Sequence, residues 1–276
     1  MSWYFAYVSP LAEGTQSATI VESRPSRLSL TGPADPPAEI GAYVAELGDE
    51  PVARLRGIVK ASDYTNQPAS GPVPPETALL SMGEGQNNDP PNPFRGFVFH
   101  QVPPAIRPVI DEMTRNIAEL RKHPHHVVRG EARWAKPSFA TRDDLQARVR
   151  FLNPGSDPAE LYHPAGATDG AHVTTTVVVS RDVAAGTLRE TDIQSVNLDP
   201  SALTALDAQG QPAAAPQTVV IPPAASIEFD VRLKNVFLSP GTYTGRVIFR
   251  LVRGDIDFAQ AVYGTLAVPI GSFAVA

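Results

Sequence analysis

The chain has 276 residues, a formal net charge of −6, 28 prolines and no cysteine. The lack of cysteine excludes disulfides, thiolate nucleophiles, iron–sulfur clusters and cysteine-ligated zinc. Proline occurs at about twice its usual frequency, which disfavours a mainly helical fold and predicts many turns and edge strands.

The N-terminal segment does not have the pattern of a targeting sequence. It lacks a basic stretch, and Pro10 interrupts its apolar run, so we expect no signal peptide. No stretch of the chain reaches the roughly 18 apolar residues that a membrane helix needs, so we expect no membrane insertion. The expected location is the cytoplasm or an assembled particle.

Residues 1–140 are predicted to form an α+β domain that begins with strands at 3–8, 18–22 and 27–30. Asp35 and the prolines after it favour the start of a helix. Apolar residues then follow at helical spacing: Ile40, Tyr43, Val44 and Leu47. The alternative is a hairpin in which this segment pairs with residues 52–60 and turns at Gly48.

Residues 65–94 are predicted to form a long Pro-rich surface loop. They contain seven prolines and three glycines, and their apolar residues show no periodicity. A loop of this length inside a compact domain is usually functional or disordered. Its composition is suited to lying on a partner protein.

A strand at 94–102 precedes the one long amphipathic helix, which is predicted over about residues 104–122. Its apolar stripe consists of Ile106, Val109, Ile110, Met113, Ile117 and Leu120. Pro104 and Pro108 lie early enough in the helix to be tolerated. A sheet or a second helix is needed to cover this stripe.

The middle of the chain is basic, because residues 104–150 hold 10 basic and 6 acidic groups between acidic flanks. Arginine alternates with apolar residues there in two predicted strands, at 126–134 and 145–151. If these strands pair, four arginines share one sheet face: Arg129, Arg133, Arg148 and Arg150. They form either a face for a protein partner or a solvated outer face with Glu131 as a partner. Nucleic acid is not the expected partner, since no aromatic residues are interleaved with the basic ones.

The densest set of metal-ligating side chains is His123, His125 and His126. Imidazole is a good ligand for divalent transition metals such as zinc, copper or nickel. The structural interpretation is a histidine group near a helix C-terminus, where the helix dipole favours it. No carboxylate close by in the sequence completes a metal site.

The C-terminal half predicts an all-β structure, with strands at 173–179, 217–221, 227–234, 243–252 and 258–268 and a short helix at 199–207. The run Val219–Val231, followed by Leu238–Val247, resembles bacterial immunoglobulin-like modules. The resemblance covers residues 145–276. It implies a β-sandwich, and it implies a tyrosine corner in which the Tyr243 hydroxyl bonds to the upstream backbone.

Motifs for catalysis or cofactor binding are absent from the sequence. We therefore predict a mainly β, non-catalytic structural or protein-interaction protein without a cofactor, of the kind found as a subunit of a multimeric phage or secretion particle. Its partner is a protein or another copy of the chain. The alternatives are a metal-dependent enzyme that uses the three histidines, and a glycan-binding module, for which exposed aromatic residues are few.

Overall fold

The computed structural model describes residues 2–12, 14–32, 38–68, 77–86, 91, 94–141, 143–166, 172–183, 189, 192–234, 236–257 and 259–276. The chain is mainly β, as predicted, and these residues include two α-helices. They divide into an N-terminal unit, 1–32 with 42–125, and a C-terminal unit, 33–41 with 126–276. The predicted division into 1–140 and 145–276 stays a prediction.

The N-terminal unit contains an antiparallel sheet with the order β3-β2-β1-β5-β6. From Phe5 to Ser9, alternate residues of β1 are buried, which is the pattern expected of a strand packed on one face. Its strands are β1 (Trp3–Leu11), β2 (Gly14–Val21), β3 (Ser26–Leu30), β5 (Leu79–Gln86) and β6 (Phe94–Val98). Strand β4 (Glu39–Ala45) crosses the boundary between the two units.

Helices α1 (Asp49–Ser62) and α2 (Arg107–Leu120) pack against each other in this unit. The carboxylate of Glu112 is fully buried and joins them. It accepts a hydrogen bond of 2.8 Å from Arg54 Nε on α1 and one of 2.7 Å from Arg115 Nη1 on its own helix. Because a buried charge is costly unless it is paired, this double contact fixes the carboxylate between the helices.

Three sequence predictions for the N-terminal part need correction. The segment predicted as a helix from Asp35 onward contains β4, and the helix follows it as α1, where Val52, Leu55 and Val59 are buried. The predicted loop at 65–94 contains β5, while its residues 69–76, 87–90, 92 and 93 lie outside the described part. The predicted strand at 94–102 ends at Val98, and a 3-10 turn follows it.

The long amphipathic helix is present as α2, after a 3-10 turn at 104–106.

The C-terminal unit contains two larger sheets whose inward side chains share one core, and a two-stranded sheet of Ala159–Tyr162 and Thr218–Ile221. One sheet has the order β13-β15-β9-β7, and the other has the order β12-β11-β16-β17-β8. Phe151 on β9, Phe229 on β15 and Phe249 on β16 meet edge to face with ring centroids 5.1 to 5.5 Å apart. The strands are β7 (Pro124–Trp134, which crosses the boundary), β8 (Ser138–Phe139), β9 (Leu145–Leu152), β10 (Ala159–Tyr162), β11 (Val173–Arg181), β12 (Ile193–Leu198), β13 (Leu203–Leu206), β14 (Thr218–Ile221), β15 (Ser226–Leu233), β16 (Gly241–Leu251) and β17 (Gly264–Val275).

Most strands predicted for the C-terminal half are present. The hydroxyl of Tyr243 donates a hydrogen bond of 2.8 Å to the carbonyl of Ser239, which is the bond expected of a tyrosine corner. The helix predicted at 199–207 is wrong, because only residues 200–202 form a 3-10 turn and β13 follows. The sequence does not predict strand β12, because its apolar residues Ile193, Val196 and Leu198 do not alternate strictly with polar ones.

Candidate functional site

The outer side of the strands β13, β15, β9 and β7 carries a dense set of charged side chains. Strands β7 and β9 pair antiparallel, as the sequence predicted, and β15 pairs with the other edge of β9. Inward positions of β9 are buried and apolar, so its arginines point outward. We call this surface the charged face; its members are Arg129, Glu131, Arg133, Arg148, Arg150, Glu228 and Asp230.

Three of the four predicted arginines are neutralised by carboxylates. Arg148 Nε and Nη2 donate to the two oxygens of Asp230 at 2.9 and 3.3 Å, and these hydrogen bonds raise the pKa of Arg148. Arg129 Nε lies 2.6 Å from Glu39 Oε1. Arg150 Nη1 lies 3.7 Å from Glu131 Oε2. The charged face is therefore a network of ion pairs and not a uniformly positive patch.

Arg133 is the exception among these four arginines. It is exposed and lies directly opposite Arg148 in the register of β7 and β9, and its side chain has no ion pair or hydrogen bond with any described residue. Two depressions of about 280 and 380 Å³ are lined by both Arg133 and Arg148. Like charges directly opposite each other are unfavourable, so a carboxylate from outside the chain would relieve repulsion at this point.

The three candidate metal ligands do not form a recognisable centre. His126 is buried, whereas His123 is exposed and its Nε2 lies 4.0 Å from Glu119 Oε1. His125 and His126 are neighbours on β7, so their side chains point to opposite faces of the strand. The described residues contain no group of three or more histidine or carboxylate side chains placed to hold a metal ion.

A second surface was missed from the sequence and lies in the loop between β15 and β16. Val236 and Leu238 are buried on either side of Phe237, whose side chain is 72% exposed. Side chains hold the loop through its carbonyls: Gln194 Nε2 donates to Phe237 O at 3.1 Å, and Arg181 Nη2 donates to Pro240 O at 3.0 Å. The loop therefore displays Phe237 from a fixed backbone. An apolar triplet in a turn region, residues 236–238, is a weak sequence signal for this surface.

No helix in the described part of the chain is long and apolar enough to span a membrane. No protein-family model matches the chain, and no curated protein matches it. Among solved structures, it is similar to AvmM, which catalyses macrocyclization in alchivemycin A biosynthesis, at 14% identity over 54% of this chain and 88% of that one, with a TM-score of 0.29.

Two other solved structures show weaker or shorter similarity. The sporulation control protein Spo0M of Bacillus subtilis is 10% identical over 53% of this chain and 48% of that one, with a TM-score of 0.27. The alkylpurine DNA glycosylase AlkC of Pseudomonas fluorescens is 8% identical over 62% of this chain and 36% of that one, with a TM-score of 0.25. At these TM-scores the similarities carry no argument about function.

Proposed function

We propose that the chain is a non-catalytic protein-interaction protein, a subunit of a multimeric assembly of the phage or secretion-particle type, and that it docks through the charged face. The observation that carries the proposal is Arg133, a cation without a described counter-ion, next to Arg148 above two depressions. Its location is the cytoplasm or the assembled particle.

Guanidinium groups on a sheet are suited to recognising a protein partner. A guanidinium binds a carboxylate through two parallel hydrogen bonds, and this fixes both position and orientation. Arg148 is already held by Asp230, so little side-chain freedom is lost when a partner docks beside it. Alternating charges on the charged face would match a partner that has the complementary order and would repel others.

The fold that we propose for residues 145–276 is an immunoglobulin-like sandwich. The two sheets with a common core and the hydrogen bond from Tyr243 to Ser239 support it. Sandwiches of this kind host many functions, and scaffolds and binding modules are common among them. An immunoglobulin-like sandwich is compatible with the proposed interaction role, but the assignment of this fold does not depend on that role.

The proposal is tested by the native mass of the purified chain, measured by light scattering over a range of protein concentration and at about 50 and 500 mM salt. We expect an assembly whose mass falls at high salt, and we expect Arg133→Glu to lower its mass already at low salt. Arg250→Glu is the matched control, because Arg250 is an exposed arginine on β16 of the other sheet. A monomer of 29.5 kDa under all conditions would overturn the assembly.

A further inference from the structure

Among the described residues, strand β12 is an open sheet edge, and it lacks the features that usually protect such edges. It ends the five-stranded sheet, and β11 is the one described strand to which it is hydrogen-bonded. Its six residues, Ile193 to Leu198, contain no charged side chain and no proline. Natural edge strands are kept from pairing with other chains by charges, prolines, bulges or very short length. A six-residue uncharged edge is therefore expected to be covered in the working protein.

Three other end strands in the described part of the chain, β8, β6 and β13, do have such protection. Strand β8 is two residues long, and β6 carries Arg95. Strand β13 is four residues long, and a bridge from Leu206 to Pro212 continues beyond it. Strand β12 thus differs from each of them in being both longer than four residues and uncharged.

The surroundings of β12 are apolar as well. Ile193 is 42% exposed at its start, and the next residue, Gln194, holds the carbonyl of the exposed Phe237. On the other face, Val196 and Leu198 pack against the core but are only partly buried. Both faces of this edge thus leave apolar surface that an added strand would cover.

We propose that β12 pairs with β12 of a second copy of this chain, antiparallel and across a two-fold axis. The six residues of the strand carry no charge, so they meet their own copy without repulsion between them, and one surface patch serves both partners. The two-fold axis keeps Ile193, Ser195 and Asn197 on the outer face in both copies. It also places Val196 and Leu198 of both copies on the inner face, so the two cores become continuous across the edge.

This pairing supplies one contact for the proposed assembly but does not rest on the charged face. Backbone hydrogen bonds and apolar burial hold it, so it resists salt, whereas contacts through arginines and carboxylates weaken as salt is added. The β12 pairing and the docking through the charged face can therefore be disproved independently of each other. A dimer that persists at high salt supports β12 pairing even if the charged face binds nothing.

The test compares Ser195→Glu with Thr174→Glu. Thr174 is exposed on β11, one strand further in, and its side chain lies on the same outer face as Ser195. In the pairing, Ser195→Glu brings two carboxylates together across the axis, which we expect to weaken the dimer by on the order of tenfold to 100-fold. Sedimentation equilibrium at about 500 mM salt should show a dimer for the wild type and for Thr174→Glu.

Hydrogen exchange in the wild type is the second measurement, because it does not depend on how a variant folds. Amides of residues 193–198 should become protected as the protein concentration rises through the dimer range. A wild-type chain that stays monomeric at about 100 μM, or equal dimerisation of the two variants, would overturn the proposal. Protection that does not change with concentration would also overturn it.

Discussion

His163 is a buried histidine in the C-terminal unit, with 4% of its surface exposed. Its Nδ1 accepts a hydrogen bond of 3.0 Å from the backbone N–H of Ala165, and its ring lies 6.0 Å from that of Phe229. Burial lowers the pKa of His163 from 6.5 to about 4, because the apolar surroundings disfavour the charged ring. Protonation of Nδ1 would also remove the hydrogen bond from Ala165.

This shift predicts a dependence of stability on pH. Between pH 6.5 and 4 the unfolded chain binds a proton at His163 and the folded chain does not, so the free energy of unfolding falls as the pH falls. The expected loss between pH 7 and 5 is about 2 kcal/mol, measured by urea unfolding. His163→Asn keeps an acceptor near the position of Nδ1 and should remove this part of the pH dependence. His123→Asn, at an exposed histidine, should keep it.

Glycine at position 245 shows how one residue sets the packing between elements. Gly245 lies on β16, and a Cβ atom there would come within 2.3 Å of Trp134 Cζ2 on β7. Trp134 is fixed by a hydrogen bond of 3.0 Å from its Nε1 to Gly271 O and by the ring of Phe273, whose centroid is 4.5 Å away. The tryptophan cannot move aside without breaking these contacts.

We therefore predict opposite effects for two glycine-to-alanine changes. Gly245→Ala should lower the free energy of unfolding by about 1–3 kcal/mol, since it overpacks the site against Trp134. Gly57→Ala should raise it by about 0.5–1 kcal/mol, because Gly57 is exposed on α1 with no atom within 4 Å of the added Cβ. Urea unfolding of each variant measures these changes in the free energy of unfolding. A Gly245→Ala variant as stable as the wild type would contradict the packing argument.

At the scale of helices and strands, the sequence predicts elements well where one face is buried and the other is exposed to solvent. Strand β9 and helix α2 show clean periods of 2 and 3.6 residues, and both were found. Strand β4 was mistaken for a helix because Ala42 and Tyr43 are both buried, so its two faces do not alternate in polarity. Helix α1 has acidic residues in its first turn. The segment before it has a similar spacing of apolar residues, so the spacing does not show which of the two segments forms the helix.

The charged face could be predicted only in part. The alternation within β7 and β9 placed the arginines on one face and identified Glu131 as a neighbour. The other main carboxylate, Asp230, comes from β15, 82 residues further along the chain than Arg148. No local pattern indicates which distant strand will pair with β9. The neutralisation of Arg148, and hence the isolation of Arg133, required the structure.

For the whole molecule, two kinds of contact on one chain lead to an assembly larger than a dimer. Pairing through β12 closes on itself as a dimer, whereas docking through the charged face joins that dimer to further copies. Ser195→Glu should leave assemblies that dissociate at about 500 mM salt, and Arg133→Glu should leave a dimer that resists salt. The double variant should be a monomer of 29.5 kDa.

The matched control for this prediction is the double variant Thr174→Glu with Arg246→Glu, because Arg246 is exposed on β16 and does not lie opposite Thr174 in the register of β11 and β16. It changes the net charge by the same amount, at exposed positions outside β12 and the charged face. Light scattering should give it the mass of the wild type at low salt. If it also dissociates, net charge and not the position of the charges controls assembly. If the first double variant keeps the wild-type mass, neither surface holds the copies together.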